Sequence, residues 1–168
     1  MPPSAGQDTV GGQRREVLEV TVREWMTTDP MVIGPDAQVR DARQLLRDRG
    51  IRHLPVVDAG EVIGIVSDRD VRIDDRSLRR LEVLERVGEL MGEGKPVEAV
   101  MSSPVHTIGP GASVGDAARL LLSQRISALP VINEDRALVG IITITDCLLA
   151  AMAKDRDIEP MLPAPSAR

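Results

Sequence analysis

Aromatic residues are almost absent from this chain: Trp25 stands alone among 168 positions, with no Phe and no Tyr. Any core must therefore be aliphatic, and functions that rest on several rings are excluded. RRM-type and OB-type nucleic-acid binders stack bases on multiple aromatic platforms, and quaternary-ammonium cages need two or three rings. Basic charge is not in excess either. Twenty-one Lys and Arg against 26 Asp and Glu leave a net charge of −5, too little positive field to hold a polyanion, so nucleic acid is not an expected partner. No apolar run approaches the roughly 18 residues of a membrane span, and the first residues lack the apolar segment of a signal peptide. A cytoplasmic protein with no membrane partner is expected. A lone Cys147 permits neither an internal disulfide nor a multi-cysteine metal site; beside Leu148 and Leu149 it reads as a buried, reduced thiol.

What the chain does have is an internal repeat. Residues 22–58 align without gaps to 97–133, and 15 of the 37 pairs are identical. The shared positions include Val22 and Val97, Met26 and Met101, Ile33-Gly34-Pro35 and Ile108-Gly109-Pro110, and Leu54-Pro55-Val56 and Leu129-Pro130-Val131. One inserted residue then shifts the offset, after which Gly64–Asp70 faces Gly140–Asp146.

Each copy reads alike. A short helical stretch (Val22–Met26; Val97–Met101) leads to a brief strand at Val32-Ile33 or Thr107-Ile108. Apolar spacing predicts helices over 39–49, stopped by Gly50, and 114–124, the latter with an apolar stripe of Val114, Ala117, Ala118, Leu121 and Leu122. Strands follow at 54–57 and 62–66 around the turn Asp58-Ala59-Gly60, and at 129–132 and 138–142. A last helix starts at Asp68 or Ile144. One copy of about 55 residues is too small to bury a good core, so two pseudo-symmetric copies are expected to pack together through their sheets as one α/β unit. The expected organisation is a flexible tail over 1–17, a first repeat over 18–76, a helical linker over 77–95, a second repeat over 96–153 and a tail over 154–168. Within the linker, Leu78, Leu81, Leu84, Val87, Leu90 and Met91 form one stripe, which suits either packing on its own repeat or a dimer interface.

The block from Gly50 to Asp58 followed by Val62–Asp70 resembles a CBS motif, and Ile126–Ile132 with Gly140–Asp146 resembles a second. In tandem they are similar to a CBS pair, or Bateman module, over roughly 20–153, nearest in motif to stand-alone pairs of the acetoin-utilisation type. The resemblance implies a β-α-β-β-α repeat and a homodimeric regulatory module with an unidentified protein target. It implies no catalytic residues, no metal and no obligatory cofactor. The implied ligand contains adenosine (AMP, ADP, ATP or S-adenosylmethionine), held in clefts between the repeats, with a conformational change passed onward.

Carried over residue by residue, the resemblance places ribose and phosphate contacts at Ser67, Asp70, Thr143, Asp146, Arg52, His53 and Ser127, and adenine walls at Ile51, Ile126, Val66 and Ile142. In the family each cleft draws on both repeats. Ser67 and Asp70 would then work with Arg52 and with Ile126-Ser127; Thr143 and Asp146 with Ser127 and with Ile51, Arg52 and His53. The residue types suit this chemistry, because a carboxylate at a helix amino end can accept from both ribose hydroxyls while free amides meet a phosphate oxygen. The same Ser/Thr-x-x-Asp spacing also reads as a capping box that only satisfies backbone amides. Repeat 1 brings Arg52 and His53 where repeat 2 has Ser127 and Ala128, so unequal sites are expected. Without rings to stack on, affinities of about −4 to −8 kcal/mol are expected. An enzyme is not expected, since neither His53 nor His106 lies in a hydrolytic motif and no phosphate loop is present. The alternative from another class is a dimeric, ligand-free scaffold for protein interaction.

Overall fold

The computed structural model describes residues 20–71 and 94–153. The expected tails, the Leu78–Met91 stripe and the body of the first repeat's last helix lie outside the described residues. In chain order the elements are α1 (Val22–Trp25), β1 (Thr27–Thr28), α2 (Val39–Asp48), β2 (His53–Asp58), β3 (Glu61–Ser67), a 3-10 turn (Val97–Ala99), α3 (Val114–Gln124), β4 (Ala128–Ile132), β5 (Leu138–Thr143) and α4 (Ile144–Ala153). This is the mixed α/β architecture of two repeats that the sequence predicts. No described helix is long and apolar enough to cross a membrane.

The described residues form two compact units, each with its own core. The repeat-1 unit joins 29–71 to 94–106 and 135–138; the repeat-2 unit joins 20–28 to 107–134 and 139–153. The short segment that opens each copy is thus built into the unit of the other copy. Val22 donates its N–H to Ala112 O (2.8 Å), and Val97 donates to Ala37 O (2.8 Å), the equivalent acceptor. The strand continuing from each segment makes the same exchange: Thr27 pairs antiparallel with Ile141, and Ser102 with Ile65.

Each core is aliphatic. In the repeat-1 unit Ala42, Leu46, Leu54, Val56, Val66, Val71 and Val97 are buried together. In the repeat-2 unit Val22, Met26, Val114, Ala117, Leu121, Leu129, Val131, Ile142, Cys147 and Ala150 do the same, with Trp25 packed at the edge. Each fully buried Leu or Val contributes about 1.5–3 kcal/mol of transfer free energy. The chain therefore needs few aromatics.

Two local expectations are corrected. The strand expected at Val32-Ile33 reduces to a single parallel bridge between Ile33 and Val56, and its partner to one between Ile108 and Val131. Leu122, placed on the apolar stripe of its helix, is 67% exposed, because the buried side of α3 is covered by Val114, Ala117 and Leu121. Gly50 does stop α2 at φ +62°, but the second copy makes the same left-handed turn with Arg125 at φ +56°. A non-glycine residue there costs about 1–2 kcal/mol in steric strain.

Candidate functional site

β2 and β3 run antiparallel, with His53 opposite Ser67 and Leu54 opposite Val66. The end of this hairpin places Arg52 and His53 beside the turn Ser67–Val71. Asp68 N–H donates to Arg52 O (2.9 Å), tying the residue that enters β2 to the turn that leaves β3. In the second copy Ile144 N–H donates to Ser127 O (3.1 Å), the same tie between equivalent residues. Sequence reading missed this tie, for a backbone carbonyl leaves no signature in side-chain identity.

Within each turn the hydroxyl and carboxylate meet. Asp70 Oδ2 accepts from Ser67 N–H (2.7 Å) and Ser67 Oγ–H (2.6 Å). Asp146 Oδ2 accepts from Thr143 N–H (2.7 Å) and Thr143 Oγ1–H (2.6 Å). In both copies the bonds to the Ser or Thr run to Oδ2, and a carboxylate has further lone pairs with which to accept from a diol. The capping geometry is therefore present, and it is not confined to these two places. Glu24 Oε1 accepts from Thr21 N–H (3.0 Å) and Thr21 Oγ1–H (2.6 Å), bonds that hold its carboxyl below the usual range. Ser113 and Asp116 make a similar pair at the start of α3, where the Ser113 hydroxyl lowers the Asp116 carboxyl. The spacing by itself marks helix starts and turns. What sets Ser67/Asp70 and Thr143/Asp146 apart is their place at the ends of β3 and β5, beside the residues that enter β2 and β4.

The two ends differ in charge. Burial lowers the pKa of half-buried His53, opposed by the carboxylate of Asp68, reinforced by Arg52, opposed again by Asp70 and reinforced by Arg69. An imidazole held below its usual value is mostly neutral at pH 7. The four charges name the company it keeps. In the second copy the corresponding side chains are Ser127, Ala128, Ile144, Thr145 and Asp146. There the nearest perturbed group is Cys147, whose thiol is pushed up to about 11 by burial and then by the Asp146 carboxylate.

The structure brings Ile51, Arg52, His53, Ser67 and Asp70 to one end of the repeat-1 unit, and Ile126, Ser127, Thr143 and Asp146 to the equivalent end of the repeat-2 unit. Ile51 and Ile126 are partly exposed, each fixed by its N–H to the preceding helix, at Leu46 O and Leu121 O (3.0 Å each). Val66 and Ile142, expected as adenine walls, offer no exposed surface in their units. Both are fully buried in their own cores because side chains alternate along a strand, which turns these two inward with Leu54 and Leu129. Among the described residues no three His, Cys, Asp or Glu side chains gather as a metal site.

Comparison with known proteins adds an independent observation. The CBS domain matches the chain twice, at residues 22–73 and 97–153. The CBS domain-containing protein YhcV of Bacillus subtilis is 27% identical over 80% of this chain and 88% of its own. Other curated relatives are longer: the match spans 46% of one and 21% of another. Among solved structures, CBSX2 of Arabidopsis thaliana in complex with AMP superposes with a TM-score of 0.65 at 31% identity, covering 82% of this chain and 99% of that one. The AcuB protein of Vibrio cholerae superposes with a TM-score of 0.63 at 30% identity, covering 82% and 95%.

Proposed function

Because the chain belongs to the CBS-domain family, we propose that it is a regulatory module that binds an adenine nucleotide through its two Ser/Thr-x-x-Asp turns. The carrying observation is the pair of equivalent hydroxyl–carboxylate arrangements at the ends of β3 and β5. The AMP carried by the CBSX2 complex supports the same ligand class. In this reading Asp70 and Asp146 hold the ribose, Ser67 and Thr143 fix their carboxylates, and Ile51 and Ile126 offer apolar contact to the base. Arg52, His53 and Ser127 face the phosphate end.

Regulation follows from differential affinity. A ligand that binds one conformation better shifts the population toward it, by no more than the difference in binding free energy. A homodimer belongs to the same proposal, supported by the exposure of Leu122, Leu148 and Met152 on α3 and α4 (67%, 59% and 56%). Light scattering coupled to gel filtration checks the dimer.

Titration calorimetry with AMP, ADP, ATP and S-adenosylmethionine tests ligand binding. Nucleotide-free, folded protein should give heat with at least one of them, and Asp70→Ala together with Asp146→Ala should abolish it. No heat with any of the four would sink the sensor reading and leave a scaffold. Binding that survives both substitutions would refute the site. The absorbance ratio at 260 and 280 nm of freshly purified protein gives an early check, since a single Trp and no Tyr make a co-purified nucleotide conspicuous.

A further inference from the structure

Resting on that reading, we infer that Arg43 is a positioning residue for the first turn: through its hydrogen bond to Val71 O it holds Asp70 in the orientation that accepts a ribose.

Arg43 stands on α2, 28 residues back in the chain, yet its half-buried side chain reaches the turn, where Nε–H donates to Val71 O at 3.2 Å. The start of the turn is held elsewhere: Ser67 pairs with His53 across the hairpin, and Asp68 N–H donates to Arg52 O (2.9 Å). Within it, Asp70 N–H and Val71 N–H both donate to Ser67 O (3.1 and 3.3 Å). One helical turn fixes several dihedrals for few hydrogen bonds and is marginal without outside support. Burial of the Val71 side chain with Ala42 and Leu46 keeps the turn against α2, but an apolar contact has no direction. The hydrogen bond supplies one. It fixes the carbonyl that follows Asp70, and so limits where the Asp70 backbone can rotate its carboxylate.

The second copy holds its turn by other means. Asp41-Ala42 and Leu45-Leu46 recur there as Asp116-Ala117 and Leu120-Leu121, but Ala118 replaces Arg43, and its side chain has no donor. The equivalent of Val71 is Cys147, inside α4, where carbonyls are engaged by the helix's own i→i−4 bonds. Ala118 and Cys147 pack in one aliphatic core. The side-chain tie from the preceding helix therefore belongs to the Asp70 turn.

The test compares Arg43→Gln with Arg43→Met. Both remove the charge, but Gln keeps an N–H donor as many bonds from the backbone as the arginine Nε, whereas Met puts a methyl group there. Calorimetry on the full chain uses whichever of AMP, ADP, ATP and S-adenosylmethionine binds the unsubstituted protein most tightly. In an Asp146→Asn background, which leaves the ligand held by Asp70, Arg43→Met should bind about fivefold more weakly than Arg43→Gln, the net effect of one hydrogen bond. In an Asp70→Asn background the two should agree within about twofold. Equal affinities in the Asp146→Asn background, or the same difference in both backgrounds, overturn the inference while nucleotide binding stands. Binding indifferent to Asp70→Asn removes the site along with it, and no heat with any of these ligands removes the nucleotide reading as well. Should Arg43→Met fail to fold by thermal melting, the unsubstituted chain decides through linkage, since a bond that favours binding is favoured by binding. Exchange of the Arg43 Nε–H with solvent, followed by NMR, should slow on saturation with ligand, and an unchanged or faster rate overturns the inference.

Discussion

The Met101 side chain lies across Gly64, so closely that a Cβ added to the glycine would sit 2.5 Å from Met101 Sδ. Met26 covers Gly140 in the other unit with the same 2.5 Å separation. Each methionine belongs to the segment exchanged between copies, and each glycine to the strand that receives it. The absence of a side chain on the strand is what lets the exchanged segment approach. Gly64→Ala and Gly140→Ala should each destabilise by about 1–3 kcal/mol through overpacking. Gly140→Ala should be the worse, because its backbone neighbour, Thr27 O, lies nearer (3.0 Å) than the equivalent Ser102 O does at Gly64 (3.2 Å), and neither can swing away. Urea denaturation midpoints of the two variants check the order, and Met101→Ala combined with Gly64→Ala should recover part of the loss.

Asp146 accepts from Thr143 at the start of α4 and in the proposed function also holds a ligand, so Asp146→Ala should lose on both counts. Loss of the cap costs about 0.5–2 kcal/mol. The binding loss should be larger in relative terms, at least tenfold. Asp146→Asn keeps an acceptor for Thr143 N–H and should retain more stability than affinity. Melting curves with and without nucleotide separate the two effects, since ligand stabilisation scales with ligand concentration over Kd.

His53 sets the expected dependence on pH. Burial depresses its folded-state pKa below the unfolded value near 6.5, so the unfolded chain binds the proton more readily. Its contribution to stability is fully present above about pH 6.5 and is lost as pH falls through that value toward the folded pKa. His53→Asn should flatten the fall in urea midpoint between neutral and mildly acid solution. An unchanged profile would assign the acid sensitivity to other groups.

Cys147 should be inert while the protein is folded. It is buried, and a thiol pushed up to about 11 holds only about one thousandth thiolate at pH 8. Labelling by a thiol reagent should be slow in buffer and complete within minutes in denaturant. Fast labelling of folded protein would contradict the packing of α4 on its core.

Leu129→Ala and Leu54→Ala remove equivalent, fully buried side chains from the two cores. Each should cost about 2–5 kcal/mol. A phase-resolved denaturation curve would show whether the two cores melt together.

The repeat, the order of its elements and the helix-to-strand boundaries were legible in the chain because hydrophobic spacing and turn residues are local signals, read twice. His53 to Asp58 and Ala128 to Ile132 fall within a residue of the spans expected from Leu-Pro-Val. The candidate turns were legible too, as Ser67-x-x-Asp70 and Thr143-x-x-Asp146. That pattern alone did not separate a ligand contact from a cap, for Thr21 and Glu24 make the same hydroxyl and amide bonds to a carboxylate, and Ser113 and Asp116 share the hydroxyl–carboxylate bond. Only the tertiary structure decided which pairs stand at strand ends, and that Val66 and Ile142 point inward. It also decided the exchange of opening segments. Val22 and Val97 are chemically equivalent, as are their acceptors Ala112 and Ala37, so the sequence carries no preference between packing within a copy and packing across copies. The backbone hydrogen bonds of the fold make that choice.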